Sequence, residues 1–313
     1  MHLGNVYSAL LSWLSVRSQD GAWVLRIEDL DPQRSRRAFA EQCEADLRWL
    51  GLDWDEGGIE RLNAPDASTS YLQSERSELY EHYLRQLAQQ GLTYPCYCTR
   101  ADIMATQAPH ESDGRIVYAG TCRPEHLKGL DPEALSLLMK SREGRSPSTR
   151  LLVPDVEISF VDGHYGRQSV NLARHCGDFV LRRGDGAWAY QLAVVVDDAL
   201  MGITEVVRGC DLLLSAPQQI YLYRLLGFRE PTFCHLPLLC NESGQRLCKR
   251  DRSLDLGEMQ KAGYKAEQII GIVGYHAGLL DRPEPIAASE LIPLFSWDKV
   301  PVSNVLTRLI DAK

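Results

Sequence analysis

Two separated groups of side chains in this sequence have the types and order that could bind phosphate. The first is His2-Leu3-Gly4-Asn5, which stands directly before a run of apolar residues at helical spacing. Asn5 suits the N-cap position, and Gly4 would let a ligand approach the backbone closely. The free N–H groups and the positive dipole end of a helix favour an anion there. A His and a Gly before a helix are more often incidental than catalytic, so this motif decides nothing alone.

The second group follows a turn at Gly244 and contains Arg246, Lys249 and Arg250. These cations could form a phosphate-binding loop or a solvated basic turn, and without further context the turn is favoured. A separate acidic group, Glu28-Asp29 with Asp31, ends a strand-like run. Open α/β sheets bind ligands at strand ends, but spacing alone favours these carboxylates as caps of the next helix.

Three cysteines in a loop-rich segment, Cys96, Cys98 and Cys122, indicate a metal site more than a disulfide. Thiolates select zinc, which takes four tetrahedral ligands in a structural site. A fourth ligand is therefore required. The local candidates are Tyr118, His110 and His126.

The composition sets outer limits on function. The chain has 313 residues, 44% of them hydrophobic, 24% charged, and a net charge of −8. The negative charge argues against general nucleic-acid binding, so any RNA contact needs a local basic patch such as residues 246–252. No apolar run approaches the ~20 residues of a membrane helix, and no secretory signal is visible, which predicts a cytoplasmic protein without membrane contact. The cysteines expected to be small buried thiols are Cys43, Cys176, Cys210, Cys234 and Cys240.

The elements that must position these groups can be read from hydrophobic periodicity. Helices are expected from Asn5 onward, over 35–50, about 71–90, 131–140, from Ser215 to 226, and over 266–277. Strands are expected over 23–29, 151–153, 178–181, 190–198 and 202–209. The β-branched centre of 190–198 is typical of a strand covered on both faces. Strand–helix alternation on both sides of a loop-rich insertion predicts a split, doubly wound, Rossmann-like α/β domain with a parallel sheet.

In this order the weak motifs resemble those of class I aminoacyl-tRNA synthetases. His2–Asn5 is similar to their HIGH motif, and residues 246–250 are similar to their KMSKS loop. The runs 26–31, 194–198 and 202–209 resemble the glutamyl-tRNA synthetase branch. Cys96, Cys98, Tyr118 and Cys122, with the run 188–193, resemble its shortened paralogues, the glutamyl-queuosine tRNA(Asp) synthetases. These lack the large anticodon-binding region, for which this chain has no room.

The resemblance implies a ligase that activates L-glutamate with Mg²⁺-ATP and transfers it to queuosine in the anticodon loop of tRNA(Asp). It implies catalytic roles for His2 and Lys249, which would stabilise phosphate charge. The implied ATP-binding residues are His2, Gly4, Asn5, Arg246 and Lys249. The implied glutamate-binding residues are Glu28, Tyr190 and Arg208. The guanidinium of Arg208 would donate two hydrogen bonds to a carboxylate of glutamate, and Glu28 would form an ion pair with its ammonium group. The implied ligands of a structural zinc are Cys96, Cys98, Tyr118 and Cys122. We expect a monomer.

The expected division is a first catalytic half (1–91), a zinc-bearing insertion (92–150), a second catalytic half (151–235), and the KMSKS-type loop with a short helical C-terminal region (236–313). Arg246 and Cys248 replace the usual Lys and Ser of the loop, which predicts weaker or slower activation.

The family's first strand and an Arg-Phe-Ala-Pro-Ser segment should precede His2, and their absence predicts unpaired backbone in neighbouring strands. Two alternatives stay open: a truncated glutamyl-tRNA synthetase acting on a tRNA 3′ end, and a silent, zinc-stabilised paralogue that only binds RNA or a partner.

Overall fold

A computed structural model describes residues 1–31, 35–59, 70–105, 117–140, 142–247 and 254–307. The helices are α1 Leu3–Arg17, α2 Arg37–Trp49, α3 Ser77–Gln89, α4 Arg100–Ala105, α5 Pro124–Lys128, α6 Pro132–Lys140, α7 Leu172–His175, α8 Tyr190–Leu200, α9 Ala216–Leu226, α10 Leu256–Lys261 and α11 Ala266–His276. Short 3₁₀ turns are Gln73–Glu75, Cys210–Ser215, Ala288–Leu294 and Trp297–Lys299. The strands are β1 Val24–Leu25, β2 Glu56–Gly57, β3 Thr93–Cys96, β4 Ser148–Leu151, β5 Glu157–Asp162, β6 Gly166–Asn171, β7 Val180–Arg182, β8 Glu205–Gly209, β9 Thr232–Leu236, β10 Leu239–Cys240 and β11 Val305–Leu306.

The strands pair in both directions, which makes this a mixed α/β structure. The pairs β1–β2, β8–β9 and β10–β11 are parallel, as the sequence predicted for the sheet. The antiparallel groups are β3–β4–β7 and the β5–β6 hairpin. The β8–β9 ladder matters most for the site, because its register sets Arg208 directly opposite His235.

Helix α1 confirms the predicted apolar face but begins earlier than expected. Val6, Leu10 and Leu14 are fully buried on that face. The N-cap is His2 and not Asn5, which lies at the third helical position. The Asn5 side chain accepts a hydrogen bond from the His2 backbone N–H at 3.1 Å, so it caps the helix from inside the first turn.

The prediction of a strand over 190–198 is wrong. These residues form most of α8, and every side chain from Leu192 to Asp198 is buried. A helix buried on most sides has no exposed stripe, so its apolar run looks like that of a central strand. Asp197 and Asp198 are compatible with this burial because buried arginines pair with them.

Most other predicted elements are confirmed with shorter bounds. Helices α2, α6, α9 and α11 lie within or close to the predicted ranges, and β8 carries Arg208 as expected. The predicted helix over 71–90 is interrupted at Arg76, which separates the 3₁₀ turn from α3. In the run 23–29 only Val24–Leu25 forms a ladder, followed by a single bridge at Ile27.

The apolar core has two large clusters and one small one. The first joins α1 to α10, α11 and β10; the second joins α3, α8 and α9 to β4 and β9. The small cluster contains Tyr94, Cys96, Tyr118 and Cys122. Of the predicted structural thiols, Cys234 and Cys240 are buried, and Cys43, Cys176 and Cys210 are half-buried. In the described ranges, none of the helices has both the length and the apolar character needed to span a bilayer.

Candidate active site and metal centre

The N-terminus of α1 forms one wall of a shallow cavity of about 100 Å³. His2, Gly4, Asn5 and Arg246 all line it, so the structure brings four of the predicted ATP-binding residues together. The lining also includes Gly209, which ends β8, and Asp211 and Leu212, which follow that strand.

Two local contacts shape this cavity. A Cβ on Gly4 would lie 3.1 Å from the His2 ring. The absence of a side chain at Gly4 therefore lets the imidazole pack closely against the start of the helix. The Arg246 guanidinium forms an ion pair with the Asp211 carboxylate. Lys249 and Cys248 lie outside the described residues, and their predicted roles stay predictions.

The backbone at Met1 and His2 is held by the segment before α10. The Leu256 N–H donates to the Met1 carbonyl at 2.8 Å, and His2 forms a single antiparallel bridge with Asp255. The terminal ammonium pairs with Asp46 at 3.1 Å. The prediction about a preceding strand is not tested by these contacts.

Arg208 is the most constrained cation of the candidate site. Its side chain donates from Nη1 to Gln219 at 2.7 Å and from Nε to the His235 ring at 3.1 Å. Its contacts with the Tyr190 hydroxyl and the Leu212 carbonyl are longer, at 3.4 and 3.3 Å. The guanidinium is buried, so a carboxylate that reached it would meet a charge weakly screened by water.

Glu28 and Tyr190 lie together on the wall of a larger cavity of about 940 Å³. Burial raises the pKa of Tyr190, the nearby Arg208 charge opposes that rise, and the Glu28 charge adds to it. The three predicted glutamate-binding residues are therefore close enough to influence each other electrostatically. Arg26 donates to Glu28 Oε1 at 3.0 Å and orients that carboxylate.

Arg208 contacts one lining residue of each of the two cavities. Its partner Leu212 lines the cavity beside His2, and its partner Tyr190 lines the one beside Glu28. A carboxylic acid bound from one side and a phosphate bound from the other would meet near this guanidinium. Such an arrangement suits attack of a carboxylate on a phosphoanhydride, which releases pyrophosphate, since that reaction depends on positioning and charge stabilisation.

The predicted thiol cluster is assembled. The Sγ atoms of Cys96, Cys98 and Cys122 all lie within 4.8 Å of one another. The Tyr118 hydroxyl is 3.4 Å from Cys96 Sγ and 3.8 Å from Cys98 Sγ, and it accepts the Cys122 backbone N–H at 2.8 Å. The two oxygen–sulfur distances, and the 3.6 Å between Cys98 Sγ and Cys122 Sγ, are close to the edges of a tetrahedron with Zn–S bonds of ~2.3 Å. Hydrogen bonds from the Cys122 and Cys98 thiols hold the pKa of Cys96 below its usual range.

Two arginines contact this cluster. Arg142 donates to Cys122 Sγ at 2.9 Å, and the Arg150 guanidinium lies 3.9 Å from the centre of the Tyr118 ring. Of the other predicted fourth ligands, His126 contacts the Gly120 carbonyl at 3.4 Å, and His110 lies outside the described residues. The donor set therefore fits a zinc ion held by three thiolates and a phenol oxygen.

Sequence reasoning missed the residues that support Arg208. Asp162, His235 and Gln219 come from β5, β9 and α9, and no short motif links them. One signal was present: His235 lies among the buried apolar residues of the strand Thr232–Leu236, where its imidazole needs a buried partner.

Comparison with known protein families establishes the family of this chain. The profile of the class I tRNA synthetases (E and Q), catalytic domain, matches residues 1–298. The chain belongs to this class I synthetase family. It is 48% identical to the glutamyl-Q tRNA(Asp) synthetase of Symbiobacterium thermophilum, over 96% of this chain and 90% of that protein. It is 44% identical to the glutamyl-Q tRNA(Asp) synthetase of Nitratidesulfovibrio vulgaris, over 98% and 92%.

Solved structures of the family give the same fold. A glutamate tRNA ligase from Elizabethkingia meningosepticum, in complex with its amino acid, matches with a TM-score of 0.76 at 28% identity. The glutamate-tRNA synthetase of Elizabethkingia anophelis matches with a TM-score of 0.78 at 27% identity. These alignments cover 98% and 99% of this chain, which spans 64% and 66% of the two solved chains.

Proposed function

We propose that this protein activates L-glutamate with ATP as glutamyl-adenylate and transfers the glutamyl group to queuosine in the anticodon loop of tRNA(Asp). The observation that carries this proposal is the extent of the match. The chain aligns with 90% of the Symbiobacterium glutamyl-Q tRNA(Asp) synthetase but with only 64% of a solved glutamate tRNA ligase. A class I catalytic domain and a bound ATP substrate follow from the family itself.

The two cavities that meet at Arg208 support this chemistry. We assign ATP, with Mg²⁺, to the cavity lined by His2, Gly4, Asn5 and Arg246, with Lys249 as a further phosphate contact. Glutamate belongs on the other side, with Glu28 beside its ammonium group, Arg208 beside a carboxylate and Tyr190 between them. The partial positive charge at the start of α1 favours the phosphate chain.

We assign a structural zinc to Cys96, Cys98, Cys122 and Tyr118. Zinc with three thiolates and a phenolate would carry a net charge of about −2, and Arg142 and Arg150 lie where they offset it. The metal would fix the loops of the insertion, since this small cluster has few other buried groups. The division at residues 91, 150 and 235 and a monomeric state belong to the same proposal.

Transfer of labelled glutamate tests the proposed function directly. The protein should label tRNA(Asp) that carries queuosine, lose the label in mild alkali, and leave tRNA(Glu) unlabelled. Queuosine-free tRNA(Asp) is the matched control and should stay unlabelled. Charging of tRNA(Glu) would instead establish the truncated glutamyl-tRNA synthetase.

Glutamate-dependent exchange of pyrophosphate into ATP separates an enzyme from a silent paralogue. The wild-type protein should support exchange, and Arg208→Gln should lose most of it because the substrate carboxylate loses its cationic partner. Replacement of the exposed Arg282, which pairs with neighbouring Glu284, is the control and should leave the exchange rate unchanged. A wild-type protein without exchange would mean that the chain is not a ligase.

A further inference from the structure

Asp162 ends strand β5 and is fully buried with its two carboxylate oxygens in different roles. Oδ1 accepts three backbone N–H groups, from Tyr165 at 2.8 Å, His164 at 3.0 Å and His235 at 3.2 Å. Oδ2 faces the His235 ring, with 2.6 Å to Nδ1. Burial alone would raise the pKa of Asp162, but the bonds from His235 and the two hairpin amides outweigh it and lower the pKa. The carboxylate is therefore ionised.

The neighbours of His235 fix its protonation state. An ionised carboxylate can only accept and a guanidinium can only donate. His235 Nδ1 must therefore carry the proton toward Asp162, and Nε2 must present its lone pair to the Arg208 Nε–H, 3.1 Å away. The imidazole is neutral, because a second proton on Nε2 would point at the donor of Arg208. The ring is completely buried, so it cannot turn to another partner.

We infer that Asp162 and His235 are positioning residues, which hold the Arg208 guanidinium in the orientation that binds a carboxylate of glutamate. This inference rests on the proposed function. The short bonds to His235 and Gln219 fix one part of the guanidinium. The longer contacts to Tyr190 and Leu212 are the ones that a substrate carboxylate would replace.

Asp162→Asn tests the inference because the fold dictates how the amide must sit. Three backbone donors require an oxygen at the Oδ1 position, so the new NH₂ group must face His235 Nδ1. The ring would then carry its proton on Nε2 and oppose the Arg208 Nε–H. The same logic applies to the catalytic triad, where Asp→Asn traps the wrong histidine tautomer.

The expected result in pyrophosphate exchange is a KM for glutamate about 10- to 100-fold higher, the effect of losing one charged hydrogen bond. The KM for ATP should stay close to the wild-type value. In ¹⁵N NMR spectra, the His235 proton should move from Nδ1 to Nε2. Asp178→Asn is the matched control, since Asp178 is equally buried and pairs with Arg123 and Tyr94 in the insertion. It should lower the melting temperature without raising the KM for glutamate.

If the Asp162→Asn protein does not fold, two substitutions of His235 test the same inference. His235→Gln keeps a donor and an acceptor on one side chain, whereas His235→Leu keeps neither. The KM for glutamate should stay near wild type in the first and rise in the second. Equal KM values in both, or a wild-type KM in folded Asp162→Asn, would overturn the inference. Absence of exchange in the wild-type protein would instead refute the proposed function.

Discussion

Substitution of Asp197 by Asn should destabilise the protein strongly, because this carboxylate is a completely buried acceptor for three donors. Oδ1 accepts from Arg76 Nε at 2.6 Å, and Oδ2 accepts from Tyr80 at 2.7 Å and from Gln73 at 2.8 Å. An amide has one oxygen, so either orientation points an N–H at an existing donor. The Arg76 guanidinium would also lose its negative partner in a site that water does not reach.

The size of the effect follows from these contacts. Removing one partner of a buried ion pair costs ~3–5 kcal/mol, because an uncompensated charge remains in the interior. Tyr80→Phe removes a single hydrogen bond to the same carboxylate, which is worth ~1.5–3 kcal/mol. Since domains have unfolding free energies of only ~5–15 kcal/mol, Asp197→Asn should lose a large fraction of the total.

Urea denaturation at neutral pH measures the loss. The matched control is Glu41→Gln, which breaks an exposed ion pair with Arg37 on α2 and should change the unfolding free energy by less than ~0.5 kcal/mol. The ordering should be Asp197→Asn, then Tyr80→Phe, then Glu41→Gln. An Asp197→Asn protein within ~1 kcal/mol of wild type would refute the view that this network carries stability.

Three further predictions address the metal, alkaline pH and the phosphate end. Zinc should co-purify with the wild-type protein; its removal by a chelator or by Cys122→Ser should lower the melting temperature, whereas a wild-type melting temperature after removal would exclude a structural metal. Burial raises the pKa of the Cys234 thiol from 9.0 to about 12, so stability is complete below its unfolded pKa and should fall as pH rises through that window. Cys234→Ala should flatten this decline in denaturation curves, and an unchanged slope would contradict it. Gly4→Ala should raise the KM for ATP and not for glutamate, because its Cβ would lie 3.1 Å from the His2 ring; equal changes in both would refute separate sites.

The fold was predictable where apolar residues recur at helical spacing or where a residue type marks the start of a helix. Helix α1 has apolar residues at helical spacing and was predicted as a helix, although it begins at Leu3, before the expected start; α9 begins with Pro217 in its first turn, close to the predicted start. Helix α8 was misassigned as a strand because burial on most sides removes the periodic signal. Its partners Arg76 and Tyr80 lie on or beside α3, more than 100 residues earlier in the chain, and no local pattern reports them.

The candidate site was predictable to a similar degree, for a physical reason. Motif residues such as His2 and Glu28 lie next to the ends of helices or strands. The neighbouring residues in the sequence are therefore enough to identify them as candidates. The residues that orient Arg208 come from other elements, and Asp162 and His235 are 73 positions apart. These residues are needed because buried charges and hydrogen-bonding groups must have partners. The partners are distant in the sequence, so they can be identified only in the folded structure.

Arg26 illustrates how motif and support combine at the glutamate end. Its guanidinium donates from Nη1 to Asp198 and from Nη2 to Glu28 Oε1, so one buried cation joins the candidate ammonium partner to helix α8. The bond uses one oxygen of Glu28, and an ammonium group can approach the other. Because Asp198 and Asp197 already balance the Arg26 charge, the negative charge of Glu28 would stay available to the ammonium group of the proposed substrate. The acidic residues of α8, which the sequence assigned to a strand end, thus support the role proposed for the Glu28 carboxylate.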